Sequence, residues 1–478
     1  MNDVFAALEG QGAVIERLCS DSRRAGPGAA FFAYPGESAD GRAYIGDALS
    51  RGAAAVVWEA EGFEWRADWR APNAPVRGLK QLAGPLAAGF HGEPSEALWL
   101  CGVTGTNGKT SCSHWIAAAL AKRKLRTGVI GTIGWGAPGA LQPLGNTTPD
   151  ALELQAMLER LVSAGTEALA MEVSSHGLVQ GRVNGVAFDC ALFTNLTRDH
   201  LDYHGTMQAY GEAKARLFDM PGLAAAVVNA DDPFGAELAR RTQARGLRTI
   251  AYGFSRPAAG EFLLWRDGSI ESPWGTVPAT LNQVGRFNIH NALGVLGCLV
   301  AYGIPFAEAA KLIAELPPVP GRMQVVGDAG AGPLVVVDYA HTPDALDKVL
   351  GELRATAQGR RGRLVVVFGA GGDRDPGKRP LMGAAAARLA DRVVVTSDNP
   401  RGEDPLRIIA QIATGATGSE IEPDRARAIE LAIAGAAPED VVLIAGKGHE
   451  NYQEIAGRRL PFSDADAARA ALARRGRA

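Results

Sequence analysis

Short, uninterrupted apolar runs alternate with helical segments along most of this chain, and this pattern restricts the possible folds more than any other feature. From residue 98 to residue 230, five runs each end in polar or glycine-rich residues: LWLCGV, TGVIGT, ALAMEV, CALFTNL and AAVVNA. Such runs between helices are typical of parallel strands that are buried on both faces of a sheet. The pattern therefore predicts a doubly wound α/β domain here.

The same pattern begins again after the proline-rich segment PPVPGR at residues 317–322. The runs beyond it are PLVVVDYAHT, RLVVVFGAGGD, RVVVTSDNPR and VVLIAGKGHE. Before residue 90, AAFFAYPG and AAAVVWEA are predicted strands, and GESADGRAYIGDALSRG is a predicted loop leading into a helix. We therefore predict an α/β protein of three domains: a small N-terminal domain at 1–90, a central domain with a mostly parallel sheet at 91–322, and a Rossmann-like domain at 323–478.

Charge and composition exclude several classes of partner. With 49 basic and 52 acidic residues the formal net charge is -3, so no overall field draws the chain to nucleic acid. The N-terminus, MNDVFAALEG, lacks signal-peptide features, and no apolar run approaches the roughly 20 residues that span a bilayer. The five cysteines are scattered and never form a CxxC pair, which favours a reducing compartment. We expect a cytoplasmic monomer without membrane insertion.

A glycine-rich loop follows the first run of the central domain. Residues 102–111 are GVTGTNGKTS, and the predicted helix SCSHWIAAALAKR overlaps the end of the loop. Glycines let backbone N–H groups face phosphate oxygens, and the helix N-terminus favours negative charge. Lys109 would reach the terminal phosphates of a nucleotide, and the Thr110 hydroxyl would bind Mg²⁺. Val103 replaces the first glycine of the strict GxxxxGK[ST] motif, so the alternative is a glycine-rich turn with an incidental lysine.

Other polar side chains follow predicted strands. Glu172 ends one apolar run and is a candidate magnesium ligand, and His200 follows another run beside Asp199. His176 and His204 could either anchor loops or contact a substrate. Ligands bind outside the carboxyl ends of the strands in open α/β sheets. The predicted site is therefore a cleft between the second and third domains.

The loop GTNGKTS and four further segments resemble the Mur ligases, the ADP-forming ligases of peptidoglycan synthesis. The segments are MEVSSHGLVQGRV at 171–183, TNLTRDHLDYHGT at 194–206, GEAKARLF at 211–218 and DYAHTPDAL at 338–346. The N-terminal SDSR at 20–23 is similar to the uridine-nucleotide-binding start of the family's third-step enzymes. Together these matches extend over nearly the whole chain. The resemblance implies a central P-loop ATPase domain and an ATP-dependent amide ligase of cell-wall precursor synthesis.

The family mechanism implies the roles of individual residues. A substrate carboxylate attacks the γ-phosphate of ATP, and an amine then converts the resulting acyl phosphate into an amide. Lys214, which alone would look like a solvated helix lysine, is implied to carry a carbamate derived from CO₂. The implied catalytic residues are Lys109, Lys214 and His200. The implied Mg²⁺ ligands are Thr110, Glu172, His200 and Lys214. The implied ATP contacts are Gly105, Thr106, Asn107, Gly108, Lys109, Thr110, Ser111, Asn288, Asn291, Arg322 and His341.

Two further sets of residues are implied to bind the UDP-linked muramoyl dipeptide and an amino acid. The implied dipeptide contacts are Ser20, Ser22, Asn146, Thr147, Thr148, Ser174, Gln180 and Arg182. The threonine pair in NTTPD could also cap the helix that begins at Pro149. The implied amino-acid contacts are Arg374, Asp398, Asn399, Pro400, Arg401, Gly446 and Glu450.

The DNPR segment at 398–401 resembles the signature of the family members that add meso-diaminopimelate, whereas the lysine-adding relatives lack its arginine. Diaminopimelate carries one more carboxylate than lysine, and an arginine fork can bind that group through two hydrogen bonds. Lysine would leave Arg401 unpaired, which discriminates strongly against it. Glu450 suits the far ammonium group of the substrate. Outside this context, DNPR would be a β-turn with a surface arginine.

Two other functions remain open at this stage. A folylpolyglutamate-type ligase would share the core loop, but SDSR, DNPR and GKGHE disfavour it. A nucleotide-dependent switch would use the loop to change shape without forming a bond.

Overall fold

The computed structural model describes residues 2–37, 39–257, 260–281, 285–327 and 332–475. It divides the chain into two compact units. The first comprises Met1–Thr280 and His290–Leu316, and the second comprises Leu281–Ile289 and Pro317–Ala478. In the described residues, no helix is both long and apolar enough to span a membrane.

The first unit begins with a small parallel sheet. Its strands, in spatial order, are β1 (Arg17–Cys19), β2 (Ala29–Ala33), β3 (Ala55–Glu59) and β4 (Asn73–Val76). Its helices are α1 (Asn2–Gly10), α2 (Ile45–Ser50) and α3 (Leu79–Phe90). Every residue of β2 and β3 is buried because apolar clusters cover both faces of the sheet. The two strands predicted in this region are confirmed as β2 and β3, and α2 is the predicted helix.

A ten-stranded sheet follows in the same unit. Its strands are β5 (Trp99–Thr104), β6 (Thr127–Gly131), β7 (Gly134–Gly136), β8 (Ala168–Glu172), β9 (Cys190–Phe193), β10 (Ala225–Asn229), β11 (Arg248–Gly253), β12 (Glu261–Arg266), β13 (Ser269–Ser272) and β14 (Gly275–Pro278). Their spatial order is β14-β13-β12-β11-β10-β9-β5-β8-β6-β7. The seven strands from β12 to β6 are parallel, and antiparallel strands extend both edges. The five predicted runs are confirmed as β5, β6, β8, β9 and β10.

The helices that follow these strands cover the sheet. They are α4 (Lys109–Lys122), α5 (Ala151–Ser163), α6 (Ser175–Val179), α7 (Leu201–His204), α8 (Met207–Ala215), α9 (Pro233–Ala244), α10 (Arg286–Tyr302) and α11 (Phe306–Ala314). The Asp150 carboxylate caps α5 by accepting hydrogen bonds from the backbone N–H groups of Leu152 and Glu153. The threonine pair before Asp150 is therefore not the cap, and the suggestion that it caps this helix is wrong.

The second unit contains a six-stranded sheet with helices on both faces. The strands are β15 (Gln324–Val326), β16 (Leu334–Asp338), β17 (Leu364–Phe368), β18 (Arg392–Val395), β19 (Glu420–Ile421) and β20 (Val441–Ala445), in the spatial order β15-β16-β20-β17-β18-β19. All neighbouring pairs except β15–β16 are parallel. A separate hairpin consists of β21 (Tyr452–Ile455) and β22 (Arg458–Pro461). The helices are α12 (Pro343–Arg360), α13 (Lys378–Leu389), α14 (Pro405–Ala413), α15 (Arg425–Ala434) and α16 (Asp464–Arg475).

Alternate residues of these strands point into two separate cores, as a doubly wound sheet requires. The four apolar runs predicted after residue 322 are confirmed as β16, β17, β18 and β20. The predicted α/β class with mostly parallel sheets is thus confirmed. The domain boundaries at residues 90 and 322 stay predictions.

Candidate functional site

The glycine-rich loop lies between β5 and α4, as predicted. Gly105 has a φ of +143°, and an added Cβ there would lie 1.9 Å from the Thr194 hydroxyl oxygen. Gly108 has a φ of +86°, and its Cβ would lie 2.4 Å from the Asn291 side-chain oxygen. Glycine is therefore required at both positions, because other side chains disfavour these dihedrals and have no space. The Asn291 side chain of α10 thus packs directly against the loop.

Two lysines converge on one carbonyl of this loop. Lys109 Nζ donates to the Gly105 carbonyl at 2.8 Å and to the Thr106 carbonyl at 2.9 Å. Lys214 Nζ, from α8, donates to the same Gly105 carbonyl at 2.9 Å. Only 1 % of Lys214 is exposed, and its ammonium lies 4.2 Å from the ring centroid of Tyr210. Burial, followed by the charge of Lys109, holds the pKa of Lys214 well below its usual value.

Thr110 and Glu172 form a buried pair beside the loop. The Thr110 hydroxyl donates to Glu172 Oε2 at 3.0 Å. The same carboxylate accepts from the Thr132 N–H at 2.8 Å and from the Thr132 hydroxyl at 3.1 Å. Thr132 follows β6, Glu172 ends β8 and Thr110 lies in the first turn of α4, so adjacent strand ends bring the three together. Sequence reasoning found Thr110 and Glu172 but missed Thr132, because only the strand order identifies this neighbour.

His200 lies in an aromatic cluster, defined as His176, His200, Tyr203, His204 and Tyr210. The rings of His176 and His200 are 4.8 Å apart, and those of His200 and Tyr210 are 6.0 Å apart. His200 has a φ of +52°, and its backbone N–H donates to the Asp199 carboxylate. The Tyr210 ring therefore contacts both His200 and Lys214. Burial and the neighbouring positive groups lower the pKa of His204 to about 4, and its Nε2 lies 2.9 Å from the Ser175 hydroxyl.

Most of the predicted dipeptide contacts in the first unit's large sheet lie together. The Thr148 hydroxyl donates to the Glu172 carbonyl at 2.9 Å and accepts from the Ser174 N–H at 3.0 Å. Arg182 donates to the Thr148 carbonyl and, through two N–H groups, to Gln180 Oε1. These bonds connect four predicted dipeptide contacts to the end of β8, where Glu172 lies. The four are Thr148, Ser174, Gln180 and Arg182.

The two remaining members of this set differ in exposure. The Thr147 hydroxyl lies 3.1 Å from that of Thr132, whereas Asn146 is exposed. Both stay predicted contacts of the dipeptide.

The predicted uridine-nucleotide contacts Ser20 and Ser22 line a cavity of about 610 Å³ in the small N-terminal sheet. Its other lining residues are Asp21, Arg23, Phe31, Phe32, Tyr34, Gly36, Ala39, Gly41, Tyr44 and Asp47. Serine hydroxyls, aromatic rings and a basic side chain are a suitable lining for a nucleotide. That role of the cavity stays a prediction.

The predicted nucleotide contacts outside the loop lie in both units. Asn288 and Asn291 are buried on α10, and the Asn291 carbonyl accepts a bond from the Cys112 thiol at 3.8 Å. Asn288, Arg322 and His341 belong to the second unit, where the Arg322 guanidinium lies 4.9 Å from the ring centroid of Tyr339. His341 Nδ1 lies 2.8 Å from the Tyr339 carbonyl oxygen. The roles of these four residues in binding ATP stay predictions.

The predicted amino-acid contacts lie where β18 and β20 end. Asp398 and Asn399 are 6 % and 3 % exposed, and Pro400 and Gly446 are also buried. Glu450 is half-buried, and its Oε2 accepts a hydrogen bond from Asn399 Nδ2 at 2.8 Å. The structure therefore brings the DNPR and GKGHE segments into direct contact.

Hydrogen bonds from both the backbone and the side chain of Arg401 hold it against two other segments. It has a φ of +51°, and its N–H and carbonyl bond to Glu454 and Ala456 beside the β21–β22 hairpin at 2.9 and 2.7 Å. Its guanidinium donates to the Gly372 carbonyl at 2.7 Å and lies 3.8 Å from the Glu454 carboxylate. Arg374 is exposed in the loop that contains Gly372. The guanidinium of Arg401 is thus held next to the segment that contains the second predicted arginine.

Three buried thiols lie together on β5, β9 and α10. The ligand atoms of Cys101, Cys190 and Cys298 all lie within 4.8 Å of one another, and this is the one such His, Cys, Asp or Glu group found in the described residues. Magnesium prefers oxygen ligands, so this sulfur cluster is not the predicted magnesium site. All five cysteines are reduced in the structure.

Comparison with known proteins identifies the family. Residues 14–91 match the model for "Mur ligase family, catalytic domain", residues 103–299 match "Mur ligase middle domain", and residues 321–448 match "Mur ligase, glutamate ligase domain". Two curated relatives are each named UDP-N-acetylmuramoyl-L-alanyl-D-glutamate--2,6-diaminopimelate ligase. The one from Chromobacterium violaceum is 50 % identical over 475 residues, covering 98 % of this chain and 96 % of the relative. The one from Pseudomonas aeruginosa is 50 % identical over 485 residues, covering 99 % and 98 %.

Solved structures agree with this assignment. A structure of a ligase with the same name has a TM-score of 0.69 and 37 % identity, and the match covers 97 % of this chain and 95 % of that chain. The MurF ligase of Thermotoga maritima in complex with ADP has a TM-score of 0.60 at 20 % identity, covering 97 % and 99 %, and so shares the fold. The three successive family matches and these structures confirm the predicted three-domain organisation. With half of its residues identical to those of relatives along almost its whole length, this chain belongs to the Mur ligase family.

Proposed function

We propose that this chain joins meso-2,6-diaminopimelate to UDP-N-acetylmuramoyl-L-alanyl-D-glutamate in an ATP-dependent amide ligation of peptidoglycan precursor synthesis. The observation that carries this proposal is the convergence of Lys109, Lys214 and the Thr110–Glu172 pair on one phosphate loop. The names of relatives at 50 % identity support the same reaction.

The central chemical difficulty is electrostatic, because an anionic carboxylate must approach an anionic triphosphate. A substrate carboxylate oxygen bonds to the γ-phosphorus while the bond from that phosphorus to the bridging oxygen breaks, so that ADP leaves. The amine nitrogen of diaminopimelate then bonds to the acyl carbon, loses a proton and expels phosphate. Loop N–H groups and the Lys109 ammonium bind the phosphates and stabilise the charge that builds up on them.

The residues beside the loop suit magnesium. Thr110 and Glu172 offer a hydroxyl and a carboxylate, the hard oxygen donors that Mg²⁺ binds. Bound Mg²⁺ would neutralise phosphate charge during the transfer. In this proposal Thr110 and Glu172 hold it, together with His200 and a carbamate on Lys214. Because Thr132 donates two hydrogen bonds to the same carboxylate, it fixes the direction in which Glu172 faces.

The state of the Lys214 amine supports the carbamate that the resemblance implies. The neutral amine adds CO₂ to give an N-carboxylate and releases one proton. Burial and Lys109 lower the pKa of Lys214, which favours the neutral form that reacts. NMR with ¹³C-labelled bicarbonate should show a carbamate signal in the wild type and none in Lys214→Arg. Lys122→Arg is the matched control, because Lys122 is more exposed and binds Glu315. An ordinary ammonium on Lys214 with full activity in CO₂-depleted buffer would refute the carbamate.

The selection of the amino acid is assigned to Arg401 and Glu450. In this proposal the guanidinium of Arg401 binds the far carboxylate of diaminopimelate, and Glu450 binds its far ammonium. The hydrogen bond from the Arg401 guanidinium to the Gly372 carbonyl supports this assignment, because a guanidinium held in place loses little freedom when it binds a ligand.

The decisive experiment measures phosphate release from ATP and the UDP-muramoyl dipeptide with either meso-diaminopimelate or L-lysine as acceptor. Turnover that requires both the dipeptide and diaminopimelate is expected. Turnover with lysine would keep the ligase reaction and overturn the role of Arg401. Turnover with a folate substrate and glutamate would favour the folate-type ligase, and hydrolysis of ATP without any acceptor would favour a switch.

We also propose that the enzyme acts as a monomer in the cytoplasm. Its nucleotide-linked substrate and its five reduced cysteines support a cytosolic location. Sedimentation equilibrium at working concentrations should give the mass of a single 50.0 kDa chain. A dimer mass that persists on dilution would contradict the monomer.

A further inference from the structure

A lysine without a predicted role lies between the DNPR segment and the β21–β22 hairpin. Lys447 is 0 % exposed, so its charge is entirely removed from water. Its Nζ donates to Asn399 Oδ1 at 2.9 Å and to Glu450 Oε2 at 3.1 Å, and it lies 4.0 Å from Asp398 Oδ1. A buried ammonium is tolerated only when polar partners surround it. Three of the predicted amino-acid contacts supply those partners here.

The amide of Asn399 is fixed by this lysine. Its Oδ1 accepts from Lys447 Nζ and from the Glu454 N–H at 2.9 Å, and its Nδ2 donates to Glu450 Oε2 at 2.8 Å. Rotating the amide by half a turn would place its NH₂ group against an ammonium. The lysine and the Glu454 N–H therefore together determine which side of Asn399 faces Glu450.

The two oxygens of Glu450 have different environments as a result. Oε2 accepts from both Lys447 and Asn399. Oε1 accepts no hydrogen bond from the part of the chain that the structure describes, and the Glu450 side chain is 18 % exposed. One oxygen is thus fixed toward the protein, and the other can receive an ammonium group from a ligand.

Asp398 completes the arrangement. A Cβ added at Gly446 would lie 2.4 Å from Asp398 Oδ2, so only a glycine leaves space for this carboxylate. Two carboxylates, Asp398 and Glu450, therefore share a single lysine, and the group has a formal charge of −1. That charge is complementary to an incoming ammonium, and without Lys447 the two carboxylates would lose the ammonium that lies within 4.0 Å of each of them.

We propose that Lys447 is a positioning residue for the amino-acid substrate, acting through Glu450 and Asn399 to present one carboxylate oxygen to the ammonium of that substrate. This inference rests on the proposed ligase function and names a residue that sets the specificity of the same site. Lys447 does not touch the substrate in this account. Its effect is confined to the amino acid and does not reach ATP or the UDP-linked dipeptide.

The test is the steady-state kinetics of Lys447→Met, with each of the three substrates varied in turn. Methionine has nearly the same shape but removes the charge and the donors, so Glu450 and Asn399 each lose one of the hydrogen bonds that orient them. The KM for diaminopimelate should rise at least about tenfold, while the KM values for ATP and the dipeptide stay within about twofold. Lys348→Met is the matched control, because Lys348 is an exposed lysine of the same unit that pairs with Asp344. It should behave as the wild type does.

The outcomes separate the inference from the proposed function. Absence of turnover by the wild-type enzyme with diaminopimelate would refute the proposed function itself. A functional wild type together with a Lys447→Met variant whose KM for diaminopimelate is unchanged or lower would overturn the positioning role, even if the variant were less thermostable. Equal losses toward all three substrates would overturn it as well.

A second variant distinguishes a positioning role of Lys447 from a role in folding. Lys447→Gln keeps a donor for Asn399 but has no charge, and it should raise the same KM by a smaller factor. If circular dichroism showed that neither variant folds, the ammonium would serve folding and the positioning role would be rejected.

Discussion

Replacing Arg425 with methionine should loosen the strand ends that carry the predicted amino-acid site. Arg425 begins α15 and Asp464 begins α16, and both side chains are 0 % exposed. Arg425 donates to the two Asp464 carboxylate oxygens at 2.7 and 2.8 Å. It also donates to the backbone carbonyls of Ser397 at 3.1 Å and Ala445 at 2.9 Å, which precede the DNPR and GKGHE segments. One guanidinium thus links both segments.

The magnitude follows from what methionine would leave behind. The Asp464 carboxylate would stay buried without its partner, and two carbonyls would lose a donor. Removing one member of a buried ion pair costs about 3–5 kcal/mol. At about 1.4 kcal/mol for each factor of ten, the opening equilibrium of this unit should rise about 140- to 3,700-fold. The double variant Arg425→Met/Asp464→Leu removes both charges and should recover part of that loss.

Hydrogen exchange measured by mass spectrometry gives the required local resolution. Amides of β20 should exchange faster by the factor above, whereas amides of β5 in the first unit should keep their rates. All eight tryptophans lie in the first unit, so tryptophan fluorescence during urea unfolding reports on that unit separately. A change of less than about tenfold in β20, or an equal acceleration in β5, would refute the reasoning.

Three further predictions concern single residues. Gly105→Ala should weaken ATP binding at least about tenfold by calorimetry, since a Cβ would meet Thr194; unchanged binding would contradict this. Glu172→Gln should lower kcat about 100-fold or more at fixed Mg²⁺, because an amide is a poorer ligand, and full activity would exclude Glu172 from metal binding. Hydrogen bonds from Arg379 hold the pKa of Glu403 at about 2, so its carboxylate stabilises the fold above its ordinary pKa of 4.5 and loses that effect as the pH falls through about 2. The difference in urea midpoint between wild type and Glu403→Gln should therefore shrink over that range, and a constant difference would refute the assignment.

The buried parallel strands could be predicted from the sequence because their signal is local. The nine runs that form β5, β6, β8, β9, β10, β16, β17, β18 and β20 are mostly apolar and end at a glycine or a polar residue, so these strands and their class could be predicted directly. The strands β12, β13 and β14 at one side of the sheet were missed, because β13 and β14 have only four residues each and only two residues of β12 are buried. Their pairing depends on turns and on a neighbouring strand, and neither leaves a periodic apolar pattern.

Residues of the candidate site could be predicted where a sequence motif identifies them. They could not be predicted where their role depends on burial in the folded structure. The phosphate loop has a characteristic spacing, so Lys109 and Thr110 could be identified by themselves. Lys214 and Lys447 have no such spacing, and their burial at 1 % and 0 % exposure is a property of the tertiary structure. The resemblance to the Mur ligases identified Lys214, and only the contacts in the structure identified Lys447.

The attachment of Arg401 to the β21–β22 hairpin has a consequence for the fidelity of the enzyme. All four residues of β22 are exposed, and a two-stranded ribbon has little stability of its own. Such an element opens locally long before the unit unfolds. The residue assigned to reject lysine is therefore anchored to one of the least stable parts of the unit, while the phosphate loop is anchored to a buried sheet. On warming, we expect errors in the choice of amino acid to increase before the rate of ligation declines.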